Sequence, residues 1–312
     1  MIDARYVPVL GAVAVFVLTA GFGSVAYPSF FSAQVFLNLL IDNAFLCIVG
    51  VGMTFVILSG GIDLSVGSVV ALTTMVSAAL VEHRHWSAAA AIPVVLAIGT
   101  AFGALMGWLI QRFRLQPFIV TLAGMFLARG LCYLISIDSI SITDPGYTAI
   151  SQARLPLWGD GASITVGALV AVAMVVFGIF IAKGADFGRT VYAIGGSEAS
   201  AVLMGLPVAR TTVLVYTFSG FCSALAGVVF TFYMLSGYGL HAVGLELDAI
   251  AAVVIGGTLL SGGVGYVIGT LFGVLILGVI HADQLRRFFK FVVDTHRHRR
   301  SAVRIMPVAA AL

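Results

Sequence analysis

Nine stretches of this chain are apolar for roughly the length that crosses a bilayer, and nothing else in the sequence constrains the fold as strongly. Residues 7–26, 37–58, 64–81, 88–110, 117–135, 164–182, 211–235, 247–260 and 266–280 read as helices in lipid. A hydrocarbon core of about 30 Å takes roughly 20 apolar residues of helix, so the eighth stretch is short. Of the 312 residues, 61% are hydrophobic and 9% charged, against about 25% charged in ordinary soluble domains. No soluble core of that size hides so much apolar surface. The expected fold is therefore an all-α polytopic membrane protein. The first stretch is expected to remain as a helix, because its apolar core is long and no A-x-A-like cleavage site follows.

Charge sets the orientation. Seven of the 16 Lys and Arg residues lie after His281, so the body carries little positive charge and a nucleic-acid role has no support. With the N-terminus inside, Arg5, the Arg112 and Arg114 pair, and Lys183, Arg189 and Arg210 all fall on the cytoplasmic side, as the excess of basic residues in cytoplasmic loops requires. Residues 136–162, with Asp138, Asp144 and Arg154, then lie outside. Cys47, Cys132 and Cys222 stand singly in apolar runs, without metal-ligand spacing. His83, His85 and His241 are read as solvated loop residues.

The longest polar interruption between spans, residues 183–210, is KGADFGRTVYAIGGSEASAVLMGLPVAR. Within it, 197–206 has the Glu, Ala, Leu and Met content of a short helix. Gly195 and Gly196 are expected to free the turn into it, and Gly205 and Pro207 to close it. A short cytoplasmic helix lying beneath two membrane halves is a docking surface for another protein; the plainer alternative is a connecting loop.

Two glycine-rich breaks interrupt the apolar runs: residues 59–67, SGGIDLSVG, and 256–263, GGTLLSGG. Irregular backbone at membrane depth survives only where protein or a water-filled cavity satisfies it. Paired breaks in two halves point to a pathway at a repeat interface, although each alone is equally a tight interhelical turn. Asn43, Asp63, Ser65, Glu246, Asp248, Thr258 and Ser261 are the polar candidates for lining that pathway, with Asp63 and Ser65 also able to cap the helix that follows. Arg129 lies about twelve residues into a span, where a charge is costly. It requires a carboxylate or carbonyl partner, and an ion pair with Asp63 or Asp248 is the expectation. Gly99, Gly103 and Gly107, and Gly265, Gly269 and Gly273, repeat at spacing four, which stacks small residues on one helix face for close packing.

The blocks DNAFLCIVGVGMTFVILSGGIDLSVGSVVA, FGRTVYAIGGSEASAVLMGLPVAR and ELDAIAAVVIGGTLLSGGVGYVIGTLFGV resemble the permease subunits of ribose-type ATP-binding cassette (ABC) sugar importers, and are most similar to the galactofuranose branch. The likeness extends over residues 5–281. It implies a type II importer-like permease with ten spans, of which nine are recognisable here. It also implies a second permease subunit, a separate ATP-binding subunit, a periplasmic sugar-binding protein and a monosaccharide substrate in the bacterial inner membrane. On this resemblance Gly188, Arg189, Tyr192, Gly196, Glu198, Ala199 and Gly205 belong to the loop that docks on the ATPase. ATP and Mg would sit on that partner. This chain has no G-x-x-x-x-G-K-[ST] loop to cradle phosphate: its two lysines, Lys183 and Lys290, are followed by Gly184 and Phe291. No nucleophile–base pair stands out either, so no catalytic residue, bound cofactor or metal is expected on this chain. An ion-coupled secondary sugar transporter is the leading alternative, and a non-conducting membrane anchor a third.

After Ile280 the resemblance stops, and the sequence reads HADQLRRFFKFVVDTHRHRRSAVRIMPVAAAL, a basic tail that forms no apolar span. Nine spans would strand its arginines outside, against the charge rule. Permitted codons from Ala282, read one nucleotide later, yield LINFDGSSSSWWTRIAIGALL, a polar turn, interfacial tryptophans and the start of an apolar helix. A frameshift that removed the tenth span is the expectation, checked by sequencing the 3′ end of the gene and its transcript.

Overall fold

The computed structural model describes residues 7–26, 32–158 and 161–281; the tail 282–312 lies outside them. The order is α1 (Val7–Ala26), α2 (Ala33–Asp42), α3 (Ala44–Leu58), α4 (Val66–Ala78), α5 (Ala88–Phe113), α6 (Pro117–Ile135), β1 (Ile140–Ser141), α7 (Pro145–Gln152), β2 (Arg154–Trp158), β3 (Ala162–Thr165), α8 (Val166–Gly184), α9 (Asp186–Gly196), α10 (Glu198–Leu203), α11 (Val208–Met234), β4 (Ser236–Gly237) and α12 (Leu245–Ile255), then α13 (Val267–His281). A π-helical turn, Ala79–His83, prolongs α4. The fold is an all-α bundle in which helices occupy most of each expected apolar stretch.

Among the described residues five helices are long and apolar enough to cross a membrane, and α2 with α3 makes a sixth span bent by 61°. The bend falls at Asn43, whose side-chain amide donates to the Leu39 carbonyl at 2.8 Å. The stretch 247–260 proves to be a half-helix. At 11 residues α12 is about 16 Å long, too short to span. The extramembrane segment between α6 and α8 is also structured: β1 pairs with β4, and β2 with β3, both antiparallel. Asp144 caps α7 by accepting from the Tyr147 amide, and the Glu82 carboxylate accepts from the Thr143 and Asp144 amides.

The core is built on α3 and α11. Every residue from position 46 to 58 is buried, consistent with a helix that is apolar on all sides. Helix α11, 27 residues long, packs against α3, α4 and α5. The α5–α11 crossing uses the first glycine ladder. A Cβ on Gly103 would lie 2.9 Å from the Cα of Gly220, and one on Gly107 2.9 Å from the Cα of Val213. The second ladder does the same for α13: Gly269 packs on the backbone of Gly256, and Gly273 on that of Ala252.

A cysteine at His85 or Asp138 is expected to react with an impermeant maleimide only in intact cells, and one at Arg114 or Arg189 only in inverted vesicles. All four positions are exposed. The reverse labelling pattern would invert the topology.

Candidate functional site

The first break does not turn at the membrane surface. After α3 the chain runs irregularly through 59–65 into the interior, and α4 starts there. Asp63 fixes that path: it is 2% exposed. Its Oδ1 accepts from the Ser65 amide at 2.9 Å and the Ser65 hydroxyl at 2.6 Å. Its Oδ2 accepts from the Ser219 hydroxyl at 2.7 Å. Ser219 is the twelfth of the 27 residues of α11, so the N-terminus of α4 stands level with the middle of that helix. Ser65 is the N-cap residue, but the capping carboxylate is that of Asp63.

A second interior break was not anticipated from sequence. Between α11 and α12, residues 235–244 dip inward, and Arg129 of α6 holds them there. Its Nη1 donates to the carbonyls of Gly239 and His241, each at 2.6 Å. The expected ion pair with Asp63 or Asp248 is not made, because Asp63 is committed to its serines and the carbonyls of the dipping segment meet the guanidinium instead. His241 is correspondingly no solvated loop residue: it is half-buried, with Nδ1 3.4 Å from the Thr74 hydroxyl and its ring edge-on to Phe230. The available signal was Arg129 itself, a mid-span cation in need of carbonyls.

The N-termini of α4 and α12 therefore meet inside the protein. Gly67, in the first turn of α4, packs against the Glu246 carboxylate, the Ala242 carbonyl and Leu245. Glu246 places Oε2 in this contact, buried and without a hydrogen-bond partner. Negative charge is favourable at two such helix ends. Of the seven pathway candidates, Asp63, Ser65 and Glu246 gather here. Asp248 is half-buried in the first turn of α12. Asn43 lies elsewhere, against Gly278 of α13. Thr258, buried with an unpartnered hydroxyl, and exposed Ser261 belong to the third irregular segment, 256–266.

That third segment lies at the same end of the bundle as the central polar region, which holds two helices where one was expected. Residues 186–196 form α9, and the Gly195–Gly196 pair lies inside it, not in a turn ahead of α10. The first turn of α9 folds back on α8, where Gly188 is pressed on the Ile181 and Ala182 carbonyls. Arg189 is exposed and pairs with Asp186. The Tyr192 hydroxyl donates to the Gly265 carbonyl at 2.7 Å. Burial raises the Tyr192 phenol to about 12, so it stays a donor at neutral pH. Ser197 caps α10 by accepting from the Ser200 amide, Glu198 and Ala199 are exposed in its first turn, and Gly205 ends it at φ +75°. Gly196 is exposed, with nothing near a Cβ position.

Helix α10 is anchored on one side, where Ala201 packs with Ile194 and Val208. Its other side presents Val202, Leu203 and Met204 to solvent, Leu203 at 88% exposure. These apolar residues were missed from sequence because the short helix gives no lasting periodicity. A cavity of about 1270 Å³ opens beside them, lined by Ser59, Gly60, Arg114, Glu198, Arg210 and Tyr216 among others. The three cysteines are buried and free, and no cluster of metal-ligating side chains occurs among the described residues.

The comparisons with known proteins agree with this architecture. Residues 35–293 match the family described as "Branched-chain amino acid transport system / permease component". The chain is 51% identical over 276 residues to the inner membrane ABC transporter permease protein YjfF of Escherichia coli K12, covering 88% of this chain and 83% of that protein. It is 42% identical to the fructose import permease protein FruG of Bifidobacterium longum, covering 89% and 83%. It is also 42% identical to the ribose import permease protein RbsC of Haemophilus influenzae, covering 83% and 79%. No solved structure matches the chain. With a family match over most of its length and a relative at 51% identity, the chain belongs to this family of transport-system permease components, as a multi-pass protein of the inner membrane.

Proposed function

We propose that this chain is the membrane-spanning permease subunit of an ABC importer that moves a monosaccharide, galactofuranose in the first instance, into the cytoplasm. One observation carries the reading furthest. A cytoplasmic helix with a bare apolar tip, α10, continues through α9 into the irregular segments that break the membrane helices. A surface that exposes Val202, Leu203 and Met204 together suits a protein partner, and the partner in an importer is the ATP-binding subunit. Relatives named for ribose and fructose import support the sugar class, and the three sequence blocks support galactofuranose. The remaining parts are a second permease, a periplasmic binding protein facing the segment between α6 and α8, and ATP with Mg on the partner. This chain binds none of these cofactors and catalyses nothing. Gly188, Arg189, Tyr192, Gly196, Glu198, Ala199 and Gly205 serve the docking. Asp63, Ser65 and Glu246 shape the interior where sugar passes.

The test is uptake into proteoliposomes holding the assembled complex. ATP-dependent galactofuranose uptake that survives collapse of the proton and sodium gradients is the expected result. Uptake that stops with the gradients would establish the ion-coupled alternative, and uptake of ribose or fructose alone would correct the sugar. Within the complex, Leu203→Glu is expected to weaken binding of the ATP-binding subunit about 30-fold, as loss of an apolar interface anchor does, with the permease still folded. Unchanged co-purification would remove α10 from the interface.

A further inference from the structure

Three backbones converge at the cytoplasmic end of the bundle: the last turn of α3, the last turn of α9 and the irregular segment between α12 and α13. The amide of Gly263 donates to the carbonyl of Leu58, the last residue of α3, at 2.9 Å. This bond joins the end of α3, where the first break begins, directly to the third irregular segment. Gly195 of α9 lies over the bond: a Cβ there would overlap both the Leu58 oxygen and the Gly263 nitrogen. Gly262 and Gly263, at φ +85° and +73°, close the other side, and a Cβ on Gly262 would lie 2.9 Å from the Gly60 nitrogen and 3.0 Å from the Gly195 Cα. All of these neighbours are backbone, so none can rotate aside to admit a methyl group.

Two side chains of α9 reinforce the joint. Tyr192 donates to the Gly265 carbonyl on the 256–266 segment, and Phe187 stacks on Phe55 of α3 at 5.8 Å. Helix α9 is thus fastened to α3 and to the segment between α12 and α13 by separate contacts. Its far end carries α10. Close-packed contacts of this kind shift between discrete arrangements and do not stretch.

We propose that Gly195, with Tyr192, is a positioning residue of the transport cycle: the contact through which movement of α9 and α10 is delivered simultaneously to α3 and to the segment between α12 and α13. The two helices that start in the interior, α4 and α12, each adjoin one side of this joint in the chain, so both would move on one stroke. The proposal rests on the importer reading and adds a mechanical part that docking alone does not require.

The test uses the full chain assembled with its ATP-binding subunit in nanodiscs. Single reporter cysteines at Ser59 and Ser261 are alkylated by a water-soluble maleimide, without nucleotide and after trapping with ATP and vanadate. In the otherwise unaltered chain both labelling rates are expected to change about fivefold or more on trapping. Gly195→Ala is expected to abolish the change at both sites while the ATP-binding subunit stays bound. Tyr192→Phe, which deletes only the hydroxyl, is expected to reduce the change at Ser261 and leave that at Ser59. Gly11→Ala, where nothing lies near a Cβ, serves as control and leaves both changes intact. Full responses in both Gly195→Ala and Tyr192→Phe would overturn the proposal. If Gly195→Ala fails to assemble, Tyr192→Phe decides alone, and a full response at Ser261 overturns it. Absence of any trapping response in the unaltered complex would overturn the importer reading, and the proposal with it.

Discussion

Replacing Gly103 by leucine is expected to leave no folded protein. At the α5–α11 crossing the helices touch backbone to backbone, so the methyl of an alanine at 103 would already press on the Tyr216 carbonyl and sit 2.9 Å from the Gly220 Cα. Overpacking by single methylenes costs about 1–3 kcal/mol where side chains can adjust. Here the obstacle is the main chain of a second helix, and an isobutyl group forces the helices apart. Because α11 also packs on α3 and α4, separation at this crossing propagates to the helices that hold both interior breaks. Gly103→Ala is expected to lower the midpoint of thermal unfolding, and Gly103→Leu to give only aggregated protein on extraction with mild detergent. The contrast is Gly130 on α6, where no atom lies within 4 Å of a Cβ. Gly130→Ala is expected to be neutral or to stabilise, since alanine favours a helix over glycine by about 1 kcal/mol. A monodisperse Gly103→Leu protein with the native melting point would show that the two helices do not approach this closely.

The same crossing shows what was legible in the sequence. Spacing of four in Gly99, Gly103 and Gly107 announced a close helix contact, and the structure supplies its partner on α11. The start of α6 follows directly from Pro117, a residue suited to the first helical position. Helices that start inside the protein were harder to see. Apolar length measures how much chain is buried, not where along the membrane it begins, so the start of α4 at mid-depth could not be read from residues 59–67. Residues 235–244 carry no paired glycines and read as an ordinary external loop. Helix α9 had a usable signal in Phe187, Val191 and Ile194 at helical spacing, but Gly195–Gly196 read as a breaker. In the structure the absence of a side chain at Gly195 answers a close approach of Leu58 and Gly263, a tertiary requirement that local propensity does not carry.

Arg129→Met is expected to spare the fold and to release the segment that positions α12. The two effects separate because opposing terms are similar in size. Two charge-assisted hydrogen bonds, to the carbonyls of Gly239 and His241, are worth about 1.5–3 kcal/mol each. Placing an arginine mid-helix in a membrane costs about 2.5–3.5 kcal/mol, which methionine avoids. The net loss of stability is therefore about 0–3 kcal/mol, within reach of a bundle whose core lies on α3 and α11. Locally nothing offsets the loss. The dipping segment keeps its β4 pairing to β1 but loses the donor that draws its inner half toward α6, and with it the register that brings Glu246 to Gly67. Amide exchange over residues 236–244 is expected to accelerate about tenfold or more, the equivalent of about 1.4 kcal/mol, while exchange in α3 stays slow. Transport by the assembled complex should fall with it. Arg129→Lys keeps the charge but not the planar fork that reaches two acceptors, so it is expected to restore one bond and an intermediate exchange rate. If Arg129→Met leaves exchange at 236–244 unchanged, the guanidinium is not what holds α12 at mid-depth. If it unfolds α3 as well, Arg129 supports the whole bundle, and the separation argued from these magnitudes is wrong.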